Sequence, residues 1–337
     1  MRNQSEPLSH SIGTTHKKAG YCGRERLGTL LDSYGILVII LVLGVVFAAT
    51  APRFLLPQNI ANILKQISVV AIMAIGMFMV ILLGGIDLSV GSSALLSAVV
   101  TMYLINHNYA PETVAIPIGL LAAAAVGFIN GFMVESAGIS PIIVTLGTMI
   151  AVRGLAQTIL WIDNSWLWVK DPALLFLAQK NFGFLPVLVV LMVFLYALFM
   201  VILNQTRFGR YLYAIGGNQR ATYLCGIPVV RFKTLAYTLS GLMAGVGGLV
   251  LVARLSAVSP AVGNNIQFDV ITAVVLGGAS LSGGEGRIEK TLLGALIAGM
   301  IINYLTIKGI PGPYQSAVNG MIILGAVILD KLSKARS

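Results

Sequence analysis

The sequence predicts an all-α fold: a polytopic transmembrane helical bundle of about ten spans with both termini in the cytoplasm. Three observations lead there. Only 10% of the 337 residues are charged and 57% are hydrophobic, whereas soluble domains carry about 25% charged residues. Apolar runs recur along nearly the whole chain, each close to the roughly 20 residues a helix needs to cross a hydrocarbon core about 30 Å thick. Lys and Arg collect in the segments between those runs. A water-soluble globule is excluded. A transmembrane barrel is disfavoured as well, because runs such as Ile36 to Ala49 lack the alternating polarity of barrel strands.

Taken in order, the predicted spans are Ile36–Thr50, Asn62–Leu83, Ser89–Ile105, Val114–Val134, Pro141–Trp161, Phe184–Leu203, Thr234–Ala253, Phe268–Leu281, Leu292–Ile307 and Tyr314–Leu332. Residues 1–34 form a polar, basic tail with Arg2, Lys17, Lys18, Arg24 and Arg26, and no small-residue cleavage site closely follows the first apolar run. That run therefore reads as a retained span. Residues 35–332 make up the transmembrane domain and 333–337 a second tail. The loop 204–233 carries Arg207, Arg210, Arg220, Arg231 and Lys233 with no acid, and the C-terminal end carries Lys331, Lys334 and Arg336. All three basic segments belong inside. Ten spans satisfy this, with six before the 204–233 loop.

The net charge of +10 is thereby explained by membrane topology, and nucleic acid is not an expected partner. Cys22 and Cys225 form neither a CxxC pair nor a metal-ligand spacing, and both read as free cytoplasmic thiols. His107 has no second histidine nearby, so no metal site is expected; nor is a cofactor. The longest outward segment, 162–183, contains Trp166, Trp168, Lys170, Asp171 and Pro172. Its tryptophans read as interfacial anchors, with partner docking as the alternative, and Ala173–Leu177 as a short surface helix.

Two segments carry candidate function. In Gly84-Gly85-Ile86-Asp87-Leu88-Ser89-Val90-Gly91 an acid stands between apolar runs amid helix-breaking glycines, and interrupted helices point to transporter binding regions. Asp87 equally suits a capping role, accepting a bond from a backbone N–H near Ser89 or Val90. The reading adopted is that it fixes the geometry of the break without holding substrate. This segment echoes Val275–Gly284: Leu82–Gly91 matches it at six of ten positions. An internal repeat and a chance likeness of glycine-rich breakers both account for that. In the basic loop, Gly217 and Asn218 can start a short helix and Gly226 can stop it. The arrangement suits docking into a cleft on a soluble partner, and it also suits an ordinary positive-inside loop.

Polar residues within spans are few, notably Gln66, Asn130, Thr145, Thr148, Arg153, Gln157, Thr272, Asn303 and Gln315. In hydrocarbon they must face the bundle interior or a watery path, and each also reads as helix–helix glue. Asp87, Ser89, Thr145 and Asn303 are taken as candidate pathway residues. Arg153 falls in the outer half of its span, where it can snorkel outward. No catalytic residue is identified. No GxxxxGK[ST] motif is present, so the chain lacks a P-loop. The acids Asp87, Asp269 and Asp330 all fall at span ends, without the intramembrane carboxylates an ion-coupled carrier uses. Energy then comes from another subunit.

From about Pro52 to Asp330 the chain resembles the permeases of the ribose, galactose and xylose class of bacterial ABC importers. The resemblance rests on Asn59-Ile60-Ala61-Asn62-Ile63-Leu64, Gly84–Gly91, Thr145-Leu146-Gly147-Thr148-Met149, Thr206-Arg207-Phe208-Gly209-Arg210 through Gly226-Ile227, Val275–Gly286 and Asp330. It implies an inner-membrane permease that works by alternating access, with a second permease copy, two cytoplasmic ABC ATPase subunits and a periplasmic sugar-binding protein. It also implies that the Gly217–Gly226 stretch, with Asn218, Arg220 and Ala221, holds the ATPase-coupling helix. Cys225 stands where the family commonly has Ser, and Thr222 where Ala is frequent, which puts details of the docking surface in doubt. The alternative from another class is a stand-alone ion-coupled secondary carrier.

Overall fold

The computed structural model describes residues 19–183 and 185–334, with residues 19–34, 329–330 and 332–334 described by their backbone alone. The long apolar runs form helices, because no lipid can satisfy a backbone N–H or C=O. They are α1 (Ala19–Thr50), α2 (Pro57–Leu82), α3 (Val90–Asn106), α4 (Glu112–Ser136), α5 (Pro141–Ile162), the short α6 (Pro172–Gln179) and α7 (Val187–Gln205). After them come α8 (Arg207–Gly217), α9 (Gln219–Leu224), α10 (Val229–Leu255), α11 (Ile266–Leu276), α12 (Ile288–Ile307) and α13 (Gly312–Lys334). The all-α expectation holds. Among the described residues α2, α4, α5, α7, α10 and α12 are long and apolar enough to cross a membrane, and shorter apolar helices cover Gly35–Thr50, Val90–Asn106 and Ile266–Leu276.

The eighth expected span, Phe268–Leu281, is corrected to the 11-residue α11. Gly278 takes φ +79 and the Ala279 N–H turns back to Val274 O at 3.3 Å, a Schellman termination that apolarity alone does not reveal. The first helix begins at Ala19, so half of the expected 1–34 tail is helical. Arg2, Lys17, Lys18 and Arg336 lie outside the described residues, as do the side chains of Cys22, Arg24, Arg26, Asp330 and Lys334.

Nearly every α2 side chain from Ile67 to Leu82 is buried, which makes α2 the central post. Its antiparallel partner is α10: a Cβ on Gly76 would meet Ser240 Cα at 2.6 Å, and one on Gly247 would meet Met73. The rest of the bundle is arranged about this pair with an internal symmetry. Helix α2 packs on α10, α11 and α12, while α10 packs on α2, α3 and α4; α3 meets α4 and α5 as α11 meets α12 and α13. Exchanging α2 with α10, α3 with α11, α4 with α12 and α5 with α13 maps one set of neighbours onto the other. Because α2 and α10 are antiparallel, this is an inverted-topology repeat.

The sequence echo does not mark that repeat. It aligns the α2–α3 link with the α11–α12 link, whereas the symmetry pairs α2–α3 with α10–α11. The likeness in structure is local: α2 and α11 each close with a glycine at positive φ, Gly84 and Gly278, one position out of step with the echo, and in each the next residue turns back, Gly85 N–H to Val80 O at 3.0 Å and Ala279 N–H to Val274 O at 3.3 Å. A side-chain turn follows in each, Asp87 accepting from Ser89 N–H and Ser280 Oγ from Ser282 N–H. The two segments touch, with Gly284 N–H donating to Leu82 O at 2.8 Å.

Two ends can be told apart by contacts. At one, Glu135, Lys233, the α2 terminus and the α11–α12 link meet α8 and α9. At the other, Leu167–Trp168 pairs antiparallel with Ala257–Val258, and His107 Nε2 lies 3.3 Å from Asp163 Oδ1. Here α6 occurs as expected for 173–177; Asp171 caps it by accepting from Leu174 N–H at 3.0 Å, and it rests on α10 and α7. Trp166 and Trp168 are exposed.

One close crossing is α4 on α10. A Cβ on Gly127 would stand 2.1 Å from Tyr237 O, and one on Gly131 would stand 2.7 Å from Thr234 Cα. Backbone rests on backbone, as small residues allow between helices in lipid, where dispersion replaces the hydrophobic effect. Gly127→Leu is therefore expected to destabilise by at least the roughly 1–3 kcal/mol of ordinary overpacking, with a lower melting temperature in detergent. Gly154→Ala, which would meet nothing within 4 Å, should leave melting unchanged or raised.

Candidate functional site

The α2–α3 link is a break deep in the bundle, and its geometry follows from Asp87. That carboxylate is buried. Oδ1 accepts from Ser89 N–H at 3.0 Å and Ser89 Oγ at 2.6 Å, and Oδ2 accepts from Ser240 Oγ of α10 at 2.8 Å. Asn130 of α4 donates to Ser89 Oγ at 2.8 Å, and Thr145 of α5 donates to Ile86 O at 3.1 Å. Charge-assisted bonds of this kind are short and strong, and the break is thereby tied to three helices. Asp87, Ser89 and Thr145 are brought together; Asn303 is not. It makes a reciprocal amide pair with Asn59, both bonds 3.0 Å, which clamps the start of α2 to the end of α12. Asp87 was expected to cap near Ser89 or Val90, and it does bond Ser89 N–H, while Ser240 was not expected. A lone serine within a glycine-rich apolar run gives little signal.

The symmetry mate of this break is the 256–265 link ahead of α11. Ser256 and Asn265 hold φ near +60°, and Arg153 donates to Pro260 O at 3.3 Å and Gly263 O at 3.0 Å. The arginine is thus used inside the fold to satisfy freed carbonyls and does not snorkel. The two broken helices start against each other, a Cβ on Gly91 meeting Gly263 O at 2.5 Å.

The basic loop folds into two helices. Asn218 caps α9 by accepting from Ala221 N–H at 2.9 Å, and Gly226 at φ +79 follows its end. The start and the stop both fall where the sequence put them. Arg220, Ala221, Tyr223, Leu224 and Cys225 are exposed, and Gly217 and Gly226 face open space. Thr222 is buried and donates to Ala214 O and Asn218 O at 2.9 and 2.8 Å, so it pins α9 to α8 and takes no part in the outer surface. Helix α8 in turn is seated on the break. A Cβ on Gly216 would stand 1.9 Å from Leu82 O and 2.5 Å from Gly284 N, and Tyr213 Oη donates to Gly286 O at 2.9 Å. Burial and the nearby Glu289 carboxylate push the Tyr213 phenol above its usual range, which keeps it a donor. Lys233 closes the other side, bonding Glu135 at 2.5 Å and Gln219 Oε1 at 2.8 Å. A buried lysine needs such a partner.

The fold and this geometry define a multi-pass membrane permease: broken, inverted-repeat helices with an exposed helix seated on the break. Comparisons with known proteins agree. A family described as the permease component of branched-chain amino acid transport systems matches residues 59–327. The ribose import permease of Bacillus subtilis (strain 168) is 38% identical over 338 residues, 97% of this chain and 99% of that relative. The ribose import permease of Escherichia coli (strain K12) is 41% identical over 308 residues, 87% and 92% of the two chains. The D-allose transport system permease of the same organism is 36% identical over 302 residues, 89% and 92%. The chain belongs to this family of ABC importer permeases and is a multi-pass protein of the bacterial inner membrane. No solved structure matches it.

Replacing Asp87 by Leu strands the Ser240 hydroxyl and the Ser89 N–H and hydroxyl. Each unsatisfied buried group costs about 1–3 kcal/mol. Melting in detergent should fall by more than in Ser240→Ala, which removes a single bond.

Proposed function

We propose that this chain is one of two permease subunits of an ATP-driven, binding-protein-dependent importer that passes a monosaccharide inward by alternating access. It crosses the membrane about ten times with both termini in the cytoplasm. The relatives named for ribose and allose support the sugar. The orientation is supported by Arg207, Arg210, Arg220 and Arg231 all falling at the α8–α9 end. The ATP is hydrolysed by separate cytoplasmic ABC ATPase subunits, and the sugar arrives on a periplasmic binding protein.

The observation that carries this reading is α9, a short capped helix with an exposed face on a rigid seat. Residues 217–226, with Asn218, Arg220 and Ala221, form the coupling element. When ATP draws the two ATPases together, α9 moves with them. Helix α8 passes the motion through Gly216 to Leu82 and Gly284, and so to the break held by Asp87. Asp87, Ser89 and Thr145 serve the pathway by holding that break in shape, and Asn303 serves it from the far end by fixing α2 against α12. Thr222 does not compromise docking, because it faces inward.

Arg220→Glu reverses an exposed charge, and Gly226→Pro demands a negative φ where the backbone holds +79. Both variants should insert normally, yet lose co-purification with a co-expressed ABC ATPase by about tenfold or more. Retention of the ATPase by both would remove α9 as the docking element. No association even with wild type would favour the stand-alone carrier.

A further inference from the structure

A cavity of about 570 Å³ lies between α11 and α13, walled by α2 and α12. This is within the range of about 300–1,000 Å³ that small-molecule sites occupy. In a bundle with few polar side chains, seven converge on it: Gln66, Asn264, Asn265, Asp269, Gln315, Ser316 and Asn319. Asn319 is buried, Asn264 and Asn265 are exposed, and polar groups in a membrane bundle must face water or protein. The fold accounts for only part of them. Asn319 Nδ2 donates to Asp269 Oδ1, and Asn319 Oδ1 accepts from Thr272 Oγ1 at 3.0 Å. This fixes the two side chains, while Asp269 Oδ2 has no hydrogen-bond partner among the described residues. Asn265 immediately precedes α11 in a left-handed conformation, φ +63, yet its side chain does not cap the helix, the usual role of an asparagine there. Strained residues whose side chains the fold leaves unused gather at functional sites.

The chemistry of the lining selects a ligand class. Amides donate and accept, as sugar hydroxyls do, and a carboxylate oxygen accepts from a hydroxyl. Among the described residues no cation lines the cavity, so a phosphorylated or carboxylated ligand would meet Asp269 with no compensating charge from them. The geometry points to a binding subsite for a neutral monosaccharide in transit, in which Asp269 and Asn319 hold hydroxyls and exclude anionic sugars. This rests on the importer reading above and adds a place of contact within the permease itself.

The test uses the complete importer, with its ATPase and binding protein, in proteoliposomes supplied with D-ribose, D-allose or L-arabinose. Asp269→Asn should lower the maximal uptake rate of the transported sugar about tenfold, the size of one lost charge-assisted hydrogen bond. It should also change the ratio of rates between sugars, while binding-protein docking and basal ATP hydrolysis stay as in wild type. Asn265→Gly keeps the left-handed backbone and removes an amide that makes no bond among the described residues; it should show the same shift and carries the test if Asp269→Asn fails to insert. Uptake and selectivity unchanged in the variants that insert would overturn the subsite. So would loss of the paired permeases in both, which would assign these side chains to a subunit interface. Wild-type uptake of none of the three sugars would overturn the importer reading beneath it.

Discussion

An interrupted helix survives in a hydrocarbon interior only if the protein satisfies the groups the break sets free. Here that constraint is met by Asp87, whose two carboxylate oxygens take three hydrogen bonds from Ser89 and Ser240. Much of the rest follows. With the α2–α3 link tied to α10, and through Asn130 and Thr145 to α4 and α5, α2 and α10 stay a single core. The inverted repeat then has a fixed axis about which to arrange the remaining helices. Arg153 performs the corresponding service at the 256–265 link, by donating to carbonyls where Asp87 accepts from N–H and O–H groups.

The same end of the bundle joins this break to the exposed helix. Leu82, Gly84, Gly216, Gly283 and Gly284 approach so closely that a single Cβ would collide with backbone at several of them. A contact between backbones has no soft side chain to absorb displacement, so movement of α8 is passed on and not dissipated. Lys233, bonded to Glu135 and Gln219, braces α9 against α4 and α10. The coupling proposed for α9 therefore needs no long chain of side-chain contacts: one helix, α8, bridges the docking surface and the break.

The fold class was legible in the sequence because it rests on composition and run length, which lipid makes nearly decisive. The ends of α9 were legible too, since Asn218 and Gly226 are local signals whose chemistry does not depend on the rest of the chain. Asp87 announced itself as an acid between glycines. What could not be read were relations between distant segments. Nothing local in Ser240, Lys233 or Asn319 says which residue it will meet, and Asn319 sits unflagged within an apolar run. The echo between Leu82–Gly91 and Val275–Gly284, open to either reading in the sequence, does not coincide with the symmetry of the bundle. The real repeat leaves little trace, as packing in lipid constrains residue size more than identity. Arg153 was sent toward the surface, since the carbonyls it bonds lie over a hundred positions away.

The central claim is that α8, α9 and the α11–α12 link form one rigid body that carries the ATPase stroke to the break. It can be tested by placing one spin label on the exposed Cys225 and another on Glu285→Cys, in a Cys22→Ser background, within the assembled importer. The distance between them should stay fixed with and without ATP, while that from Cys225 to a label at Tyr109→Cys, at the opposite end, changes. A Cys225-to-285 distance that shifts with nucleotide as much as the second would contradict the account, for it would mean that α9 moves without carrying the break along.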